Sequence, residues 1–585
     1  MKRITIFTVF FFVLVTFNLT AQEKLVVEPG YGTLNDAYAA NGGSKIYVLK
    51  SGGWYGLSGT MEITEPLTIV GETSDDPSVM LPIIQMGTTT SGGTFGSMFQ
   101  AYADVDFQNV FFVNADLNNS LGDVIIHQQA DSRISFDNVV IDPLGSMILI
   151  NIIANHSSIF ITNSLIMRHA SETSSIYDYP VINYNGTTGV DTLYIENSTF
   201  ADMGWSFYDA MISFQRGSAD GLDKFIWVNH NTFLFGKSDV MNTLYTQNTF
   251  FTNNLLYEWG MQPYYNESTI WFMNYGDFGP ANTRTSLLRA DTVKVNGVYE
   301  TLPSARKYFA TYNYKYKDPR INDVVKMCAD SGLVTYSLPF LYPESAKDTN
   351  REARIFNDKT NFPYFIASNN IDDPTDMDPV FEDQTIYSLV DSAVAWSYAS
   401  TKYIMGLSYP AQENWPRYFF KPDPEIGYPY TWPRINAKYS NEQMLAGSIE
   451  NLPLGDLNWF PEKKAVWTAH KTDIMNHILS LNDAKFAVTA VDDDKVSPAS
   501  FSLEQNYPNP FNPETEIRYN VPKSGVVTLK VFNLLGQEVA TLVNQEQTTG
   551  SYKIKFNAAN LASGVYMYRI QCGDLSLTKK MTLLK

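Results

Sequence analysis

The chain has 585 residues and a formal net charge of −19, with 61 acidic against 42 basic side chains and an aromatic content of 14%. So acidic a surface repels nucleic acid and anionic membrane and argues against both as partners, while the length accommodates one large or two medium domains plus a small one. Only Cys328 and Cys572 are present, so no disulfide framework and no Cys/His zinc spacing organises the fold.

In chain order, Lys2 and Arg3 precede an apolar run from Ile4 to Phe17, and Leu19-Thr20-Ala21 offers small residues for cleavage. This predicts a secretory signal peptide over residues 1–21. At 14 residues the run is too short for a comfortable membrane span. Loss of this segment takes the charge to −21, because it holds two basic and no acidic side chains. No later stretch is apolar for long enough to cross a membrane.

Residues 104–258 carry a repeat of the form apolar-x-Asn-x-x-apolar. Its central positions are Asn109, Asn138, Asn163, Asn197, His230 and Asn253, at steps of 29, 25, 34, 33 and 23 residues. Steps this irregular exclude a helical repeat and fit coils of short strands joined by loops of variable length, a β-solenoid. Stacked coils lie about 4.8 Å apart. An Asn repeated at one turn can therefore bond the Asn above and below it, its carboxamide serving as donor and acceptor. The expectation is one buried Asn column, with Phe107, Phe136, Ile161, Ile195 and Phe251 lining the interior and His230 standing in for Asn in one coil.

This column resembles the asparagine ladder of the pectin-lyase-like right-handed parallel β-helix. The string from Gly32 through Lys50 resembles the capping helix and first strand of that family, and Glu62 to Gly71 its second strand and turn. Asn370-Ile-Asp-Asp-Pro, Asp378-Pro-Val-Phe-Glu-Asp and Tyr387-Ser-Leu resemble its closing coils. The resemblance places the solenoid at residues 22–400, with few clean repeats between 260 and 365.

Residues 401–490 change character: Trp415-Pro-Arg-Tyr-Phe-Phe, Tyr428-Pro-Tyr-Thr-Trp-Pro-Arg and Gly455-Asp-Leu-Asn-Trp-Phe-Pro read as extended and irregular. A helix is expected from Glu462 to Leu481, with Val466, His470, Ile474 and Ile478 at helical spacing, wrapping the solenoid or capping its end. An acidic linker follows at 491–500, its Asp run a solvated spacer or, alternatively, a calcium loop.

Residues 501–585 alternate with period two at Val527-Leu529-Val531 and Tyr566-Tyr568-Ile570, between turns at Gly536, Gly550, Gly564 and Gly573, as an Ig-like antiparallel β-sandwich requires. Leu503 to Pro513 (LEQNYPNPFNP), Gly536-x-Glu538-Val539-Ala540, Ser563-Gly564-x-Tyr566 and the terminal Lys585 resemble the C-terminal sorting domain of type IX secretion cargo. The resemblance implies export through an outer membrane, with the type IX machinery as partner and the cell surface or the medium as destination.

No nucleophile elbow, phosphate loop, dinucleotide fingerprint or zinc-protease helix is present. Site candidates therefore come from solenoid columns. Residues preceding the repeat's central position are expected to face outward: Gln108, Asp137, Thr162, Glu196, Asn229 and Thr252. Asp137 and Glu196, two coils apart, would stand about 10 Å apart, near the roughly 6.5–9.5 Å of inverting glycosidases, although solubility alone also demands a polar outward column. A second column brings Arg168 beside Asp202 on adjacent coils. β-Helix lyases resemble this in placing an Arg or Lys base beside calcium-binding carboxylates, while a surface ion pair is the plainer reading. Trp396, Trp415, Trp432 and Trp459 offer sugar-stacking faces or core for the C-terminal elaboration. No cofactor is called for, calcium being the one ion the acids could take. The sequence thus leaves two readings: an exported surface protein that binds carbohydrate or serves adhesion or structure, or a polysaccharide lyase or glycoside hydrolase.

Overall fold

The computed structural model describes residues 23–74, 79–88, 95–116, 120–142, 147–167, 180–184, 190–203, 223–236, 246–259, 306–320, 363–372, 378–391 and 435–489, most of 502–584, and a few short stretches between. The chain divides into two compact units, Met1–Asn482 and Asp483–Lys585.

The first unit is a parallel β-helix. Each coil supplies short strands to stacked parallel sheets of 11, 11 and 8 strands. In the first sheet, strands such as Val105–Gln108, Arg133–Asp137, Ser158–Thr162 and Thr192–Glu196 pair in strict register. Because side chains alternate along a strand, that register stacks Ile69, Phe107, Phe136, Ile161, Ile195, Val228 and Phe251 into one interior column. None of them is more than 1% exposed, and each buried side chain contributes about 1.5–3 kcal/mol. A helix, Thr33–Asn41, closes the first coil by burying Leu34 and packing Ala37 and Tyr38 on the core. It covers interior that an open solenoid end leaves bare.

The repeated Asn are one column, but they are not the buried ladder. Asn109, Asn138, Asn163, Asn197, His230 and Asn253 all adopt left-handed backbone, φ 49° to 59°, and Tyr312 and Asn369 extend the series. Asn is the side chain that best tolerates this conformation. One coil earlier the position is Gly71, where a Cβ would lie 1.9 Å from the Asn109 carbonyl oxygen. The column lies on the outer side of the coil, where Asn138 is exposed and Asn109 and Asn163 are half-buried, whereas Asn197, His230 and Asn253 are buried; the Asn138 amide donates to Asn109 Oδ1 at 2.8 Å.

The left-handed residue reverses the side-chain sense, so the buried ladder runs one residue later, through Val110, Val139, Ser164, Ser198, Asn231, Asn254, Asn313 and Asn370. Asn231, Asn254 and Asn313 each donate Nδ2 to the Oδ1 of the next Asn, at 3.1, 2.9 and 3.0 Å. The Oδ1 atoms of Asn231, Asn254, Asn313 and Asn370 accept, in that order, the backbone N–H groups of Ser198, Asn231, Asn254 and Asn313 at 2.9–3.0 Å. Ser164 and Ser198 do the work with hydroxyls, accepting from the N–H of Val139 and Ser164.

Two further expectations shift. The solenoid's last described strand is Ile371–Asp372. Residues 378–391 leave the coil and lie on the outer face of the second sheet, with Phe381 edge-on to Tyr257 at 4.8 Å. The helix runs Pro461–Thr489, and its inward stripe is Trp467, Lys471, Ile474 and Ile478, while Val466 is 50% exposed and His470 is exposed. Both stripes satisfy a 3.6-residue period; Trp467 fixes the phase by being the largest apolar group available to bury.

The second unit is antiparallel. One sheet holds Ser502–Leu503, Glu514–Val521 and Gly550–Asn557; the other holds Glu538–Gln547, Gly525–Phe532, Gly564–Cys572 and Leu575–Leu583. Val527, Leu529, Val531, Tyr568 and Ile570 are fully buried between them.

The ladder makes an unequal prediction for two asparagines. Asn254→Leu strands several buried partners and lowers unfolding stability by roughly 1–3 kcal/mol. Asn138→Gly keeps the left-handed turn and changes stability by less than about 0.5 kcal/mol. Denaturant midpoints of the two variants check this.

Candidate functional site

The outer face of the first sheet carries two columns whose character changes along the stack. One, in register, is Gln108, Asp137, Thr162, Glu196, Asn229 and Thr252, as the repeat predicts. The other is Asp106, Ser135, Phe160, Tyr194, Trp227, Phe250 and Phe309. Its aromatic part is a continuous pile: Phe160 to Tyr194 is 5.9 Å, Tyr194 to Trp227 6.1 Å at 9°, Trp227 to Phe250 5.7 Å, and Phe250 to Phe309 6.2 Å.

The long helix and residues 448–460 form a strap over this pile. Tyr194, Trp227, Phe250 and Phe309 are sealed against Ile478, Ile474 and Met475, whereas Phe160 is only partly buried. Beyond it the sheet is open and polar. Asp106 and Arg133 pair at 2.5 Å, with side chains 14% and 27% exposed. Burial raises the Asp106 carboxyl, opposed first by Arg133. Arg133 N–H also donates to Asp104 at 2.9 Å.

The two-carboxylate candidates end in different places. Glu196 is 2% exposed under the strap. Its Oε1 accepts from Trp227 Nε1 and Asn229 Nδ2, both at 3.0 Å. Its Oε2 accepts from the Tyr194 hydroxyl and pairs with Lys471 Nζ at 2.9 Å. The Tyr194 hydroxyl is held well above its usual range, by burial first and by Glu196 second. Asp137 is half-buried, and its Oδ1 accepts from Thr162 Oγ1 at 2.7 Å and Asn163 Nδ2 at 2.6 Å. One coil beyond Glu196, Asn229 Oδ1 accepts the same pair of bonds from Thr252 Oγ1 and Asn253 Nδ2, at 2.8 and 2.9 Å. A neutral amide therefore fills the role in one coil that Asp137 fills in another.

Asp202 contributes backbone to the strand Thr199–Met203; its side chain, Arg168, Trp396, Trp415, Trp432 and Cys328 lie outside the described residues. Trp459 is half-buried in the strap and donates Nε1 to Thr199 Oγ1 at 2.9 Å. The columns followed in the sequence start one residue before the repeat's central position and so pass over Asp106 and Arg133, which lie further back on their strands. Asp106 stands two residues before Gln108, on the same side of its strand. Among the described residues no group of three or more His, Cys, Asp or Glu gathers to hold a metal ion.

A shallow hollow lined by Asn458, Pro461, Lys464, Ala465, Thr468 and Ala469 sits on the strap. Burial lowers the Lys464 ammonium, with Asp456 and Asp137 opposing. Asp456 is 2% exposed and accepts from Thr199 Oγ1 at 2.7 Å and from Asn458 N and Nδ2 at 2.8 and 2.7 Å. Burial still pushes its carboxyl up to about 6.

Residues 505–583 match the family described as a secretion system C-terminal sorting domain. No curated protein matches the chain. Among solved structures the chain is similar to a PL6 family alginate lyase, AlyGC, at 16% identity over 41% of this chain and 36% of that one, with a TM-score of 0.26. The chain thus spans about a third of that lyase's length. Among the described residues no helix is long and apolar enough to cross a membrane. The protein is an exported parallel β-helix: its sorting domain directs it to secretion or the cell surface and implies the type IX machinery as partner.

Two outcomes follow. Deleting residues 501–585 leaves the precursor in the periplasm of a type IX-competent host, as fractionation reads out. Asp456 holds its proton more tightly when folded than at its ordinary 3.8, so its contribution to stability is present below about pH 4 and is lost as pH rises through about 6. The loss is on the order of 3 kcal/mol. His127, buried and lowered to about 4, acts with the opposite sign, so the test is a comparison. Asp456→Asn gains unfolding midpoint relative to the parent protein from pH 4 to pH 7, an interval in which the His127 effect is common to both.

Proposed function

We propose that this protein binds an extracellular polysaccharide or cell-surface glycan without cleaving it, on the open half of the first sheet's outer face. The observation that supports this is the emergence of the aromatic pile from beneath the strap at Phe160, beside Ser135, Asp106, Arg133, Gln108 and Asp137. A sugar ring stacks its C–H face on an aromatic ring while its hydroxyls bond to carboxylate, guanidinium and amide groups alongside. A glycosidase pairing of Asp137 with Glu196 would need Glu196 open to water, and Lys471, Trp227 and Asn229 occupy it instead.

Retention on immobilised uronate-containing and neutral polysaccharides, with and without calcium, tests the reading. Phe160→Ala weakens retention roughly three- to tenfold with unfolding midpoint nearly unchanged, and Arg133→Ala weakens it further. Asp137→Asn keeps retention, since Asn229 already performs that bonding role. New unsaturated ends absorbing in the ultraviolet, or new reducing ends, would replace this reading by the lyase or hydrolase.

A further inference from the structure

The open half of the first sheet's outer face is three columns wide. Asp106 and Gln108 alternate with the buried Val105 and Phe107, and Asp104 stands two residues before Asp106. On the next coil Arg133, Ser135 and Asp137 point the same way, and on the one after it Ser158, Phe160 and Thr162. Beside the Phe160 ring the face thus gathers three carboxylates, Asp104, Asp106 and Asp137, against one guanidinium. Asp106 engages that guanidinium at 2.5 Å. The cations at the margins are matched too. Lys224 Nζ lies 2.7 Å from Asp191 Oδ1, which also holds His156 Nδ1 at 3.0 Å. Lys464, on the strap, donates to Asn458 Oδ1, and Asp456 and Asp137 stand close enough to act on its charge.

The oxygen atoms left for a ligand are acceptors. Asp137 takes its bonds from Thr162 and Asn163 on Oδ1, and Asp104 takes the Arg133 N–H on Oδ1. Among the described residues nothing donates to Oδ2 of either. An ionised carboxylate accepts and cannot donate, so a sugar hydroxyl satisfies it. The carboxylate of a uronate also only accepts, and its charge is repelled. Resting on the glycan reading above, we infer that this face selects a neutral polysaccharide and excludes polyuronates. A hexose ring on Phe160 presents hydroxyls to Ser135 and Asp137 on the preceding coil, about 4.8 Å away. A polyanion would have to displace Asp106 from Arg133 to gain a cation, and the exchange bares one carboxylate for each guanidinium it frees. The formal charge of −19 on the whole chain adds repulsion at longer range.

The experiment passes the full chain over immobilised glucan, mannan and galactan, and separately over polygalacturonate and polymannuronate, with and without calcium. A neutral polymer retains the protein, and retention changes less than about twofold between low and high salt, because no charge pairs form. Phe160→Ala loses that retention. The polyuronates let the protein pass in both conditions. Asp104→Asn combined with Asp137→Asn removes two charges at nearly constant shape and raises polyuronate retention at least roughly threefold. No change in that variant places the exclusion elsewhere and overturns the inference. Polyuronate retention by the parent protein without calcium, weakened by salt, overturns it and leaves the glycan reading standing. Polyuronate retention only with calcium overturns it as well and assigns a bridging ion. Retention by neither class of polymer removes the glycan reading itself.

Discussion

The structure depends on one backbone event, the left-handed residue that ends the strands of the first sheet from Val105–Gln108 onward. Every coil from Asn109 to Asn369 passes through it at the same register position. Because the strand preceding it alternates with period two, the residue just before the turn must face out and the one before that must face in. The residue just after it enters the interior at the end of a reversed chain, beside backbone N–H groups that no strand pairs. This one constraint sets the interior column of Phe and Ile, the outward polar column, and the ladder through Asn231, Asn254, Asn313 and Asn370 together. A one-residue slip at any turn would exchange all three.

Because the outward columns are fixed by the turn, their chemistry is set by residue choice alone, and that choice divides the sheet. From Tyr194 to Phe309 the second column is aromatic and needs a cover. The strap supplies it, with Ile474 and Ile478 on the rings and Lys471 over Tyr194 at 5.2 Å and Trp467 at 4.8 Å. Covering the rings also encloses Glu196, whose charge is then sustained by Lys471 and three hydrogen-bond donors in place of water. The carboxylate that sequence spacing singles out is thereby committed to holding the strap, and the accessible chemistry moves to the uncovered half, around Asp106, Arg133 and Phe160.

The fold was legible because period-two alternation and an Asn recurring at irregular steps admit little besides stacked coils. The interior column through Phe107, Phe136 and Ile161 follows from that directly. The ladder was misplaced by one residue because Asn serves at two successive positions for different reasons. At Asn253 it relieves left-handed backbone, and at Asn254 it bonds buried backbone. In the first coils the second position is Val110 or Val139, so the repeat gave no hint of it. The site was less legible for a different reason. Glu196 and Asp137 occupy equivalent positions, and only the strap, 257 residues from Thr199 in the Asp456 contact, distinguishes them. No local pattern announces a partner that far along the chain.

That separation also orders assembly. Coil-to-coil bonds join residues 23 to 62 apart, as in Asn231 to Asn254 and Asn313 to Phe251, and each new coil needs only its neighbour as a template. Strap bonds join residues 196 to 261 apart, from Ile449 with Asn253 to Asn458 with Asn197. Closing so long a loop costs entropy before any contact returns it, and the surface the strap recognises does not exist until several coils are stacked. Until then Glu196 keeps its water and the rings from Tyr194 to Phe309 stay exposed. The strap therefore docks after the coils and confers on them the burial that single coils cannot reach. In the chain it follows the coils and precedes the sorting domain, so the element that covers the solenoid's rings is made only after the coils it covers.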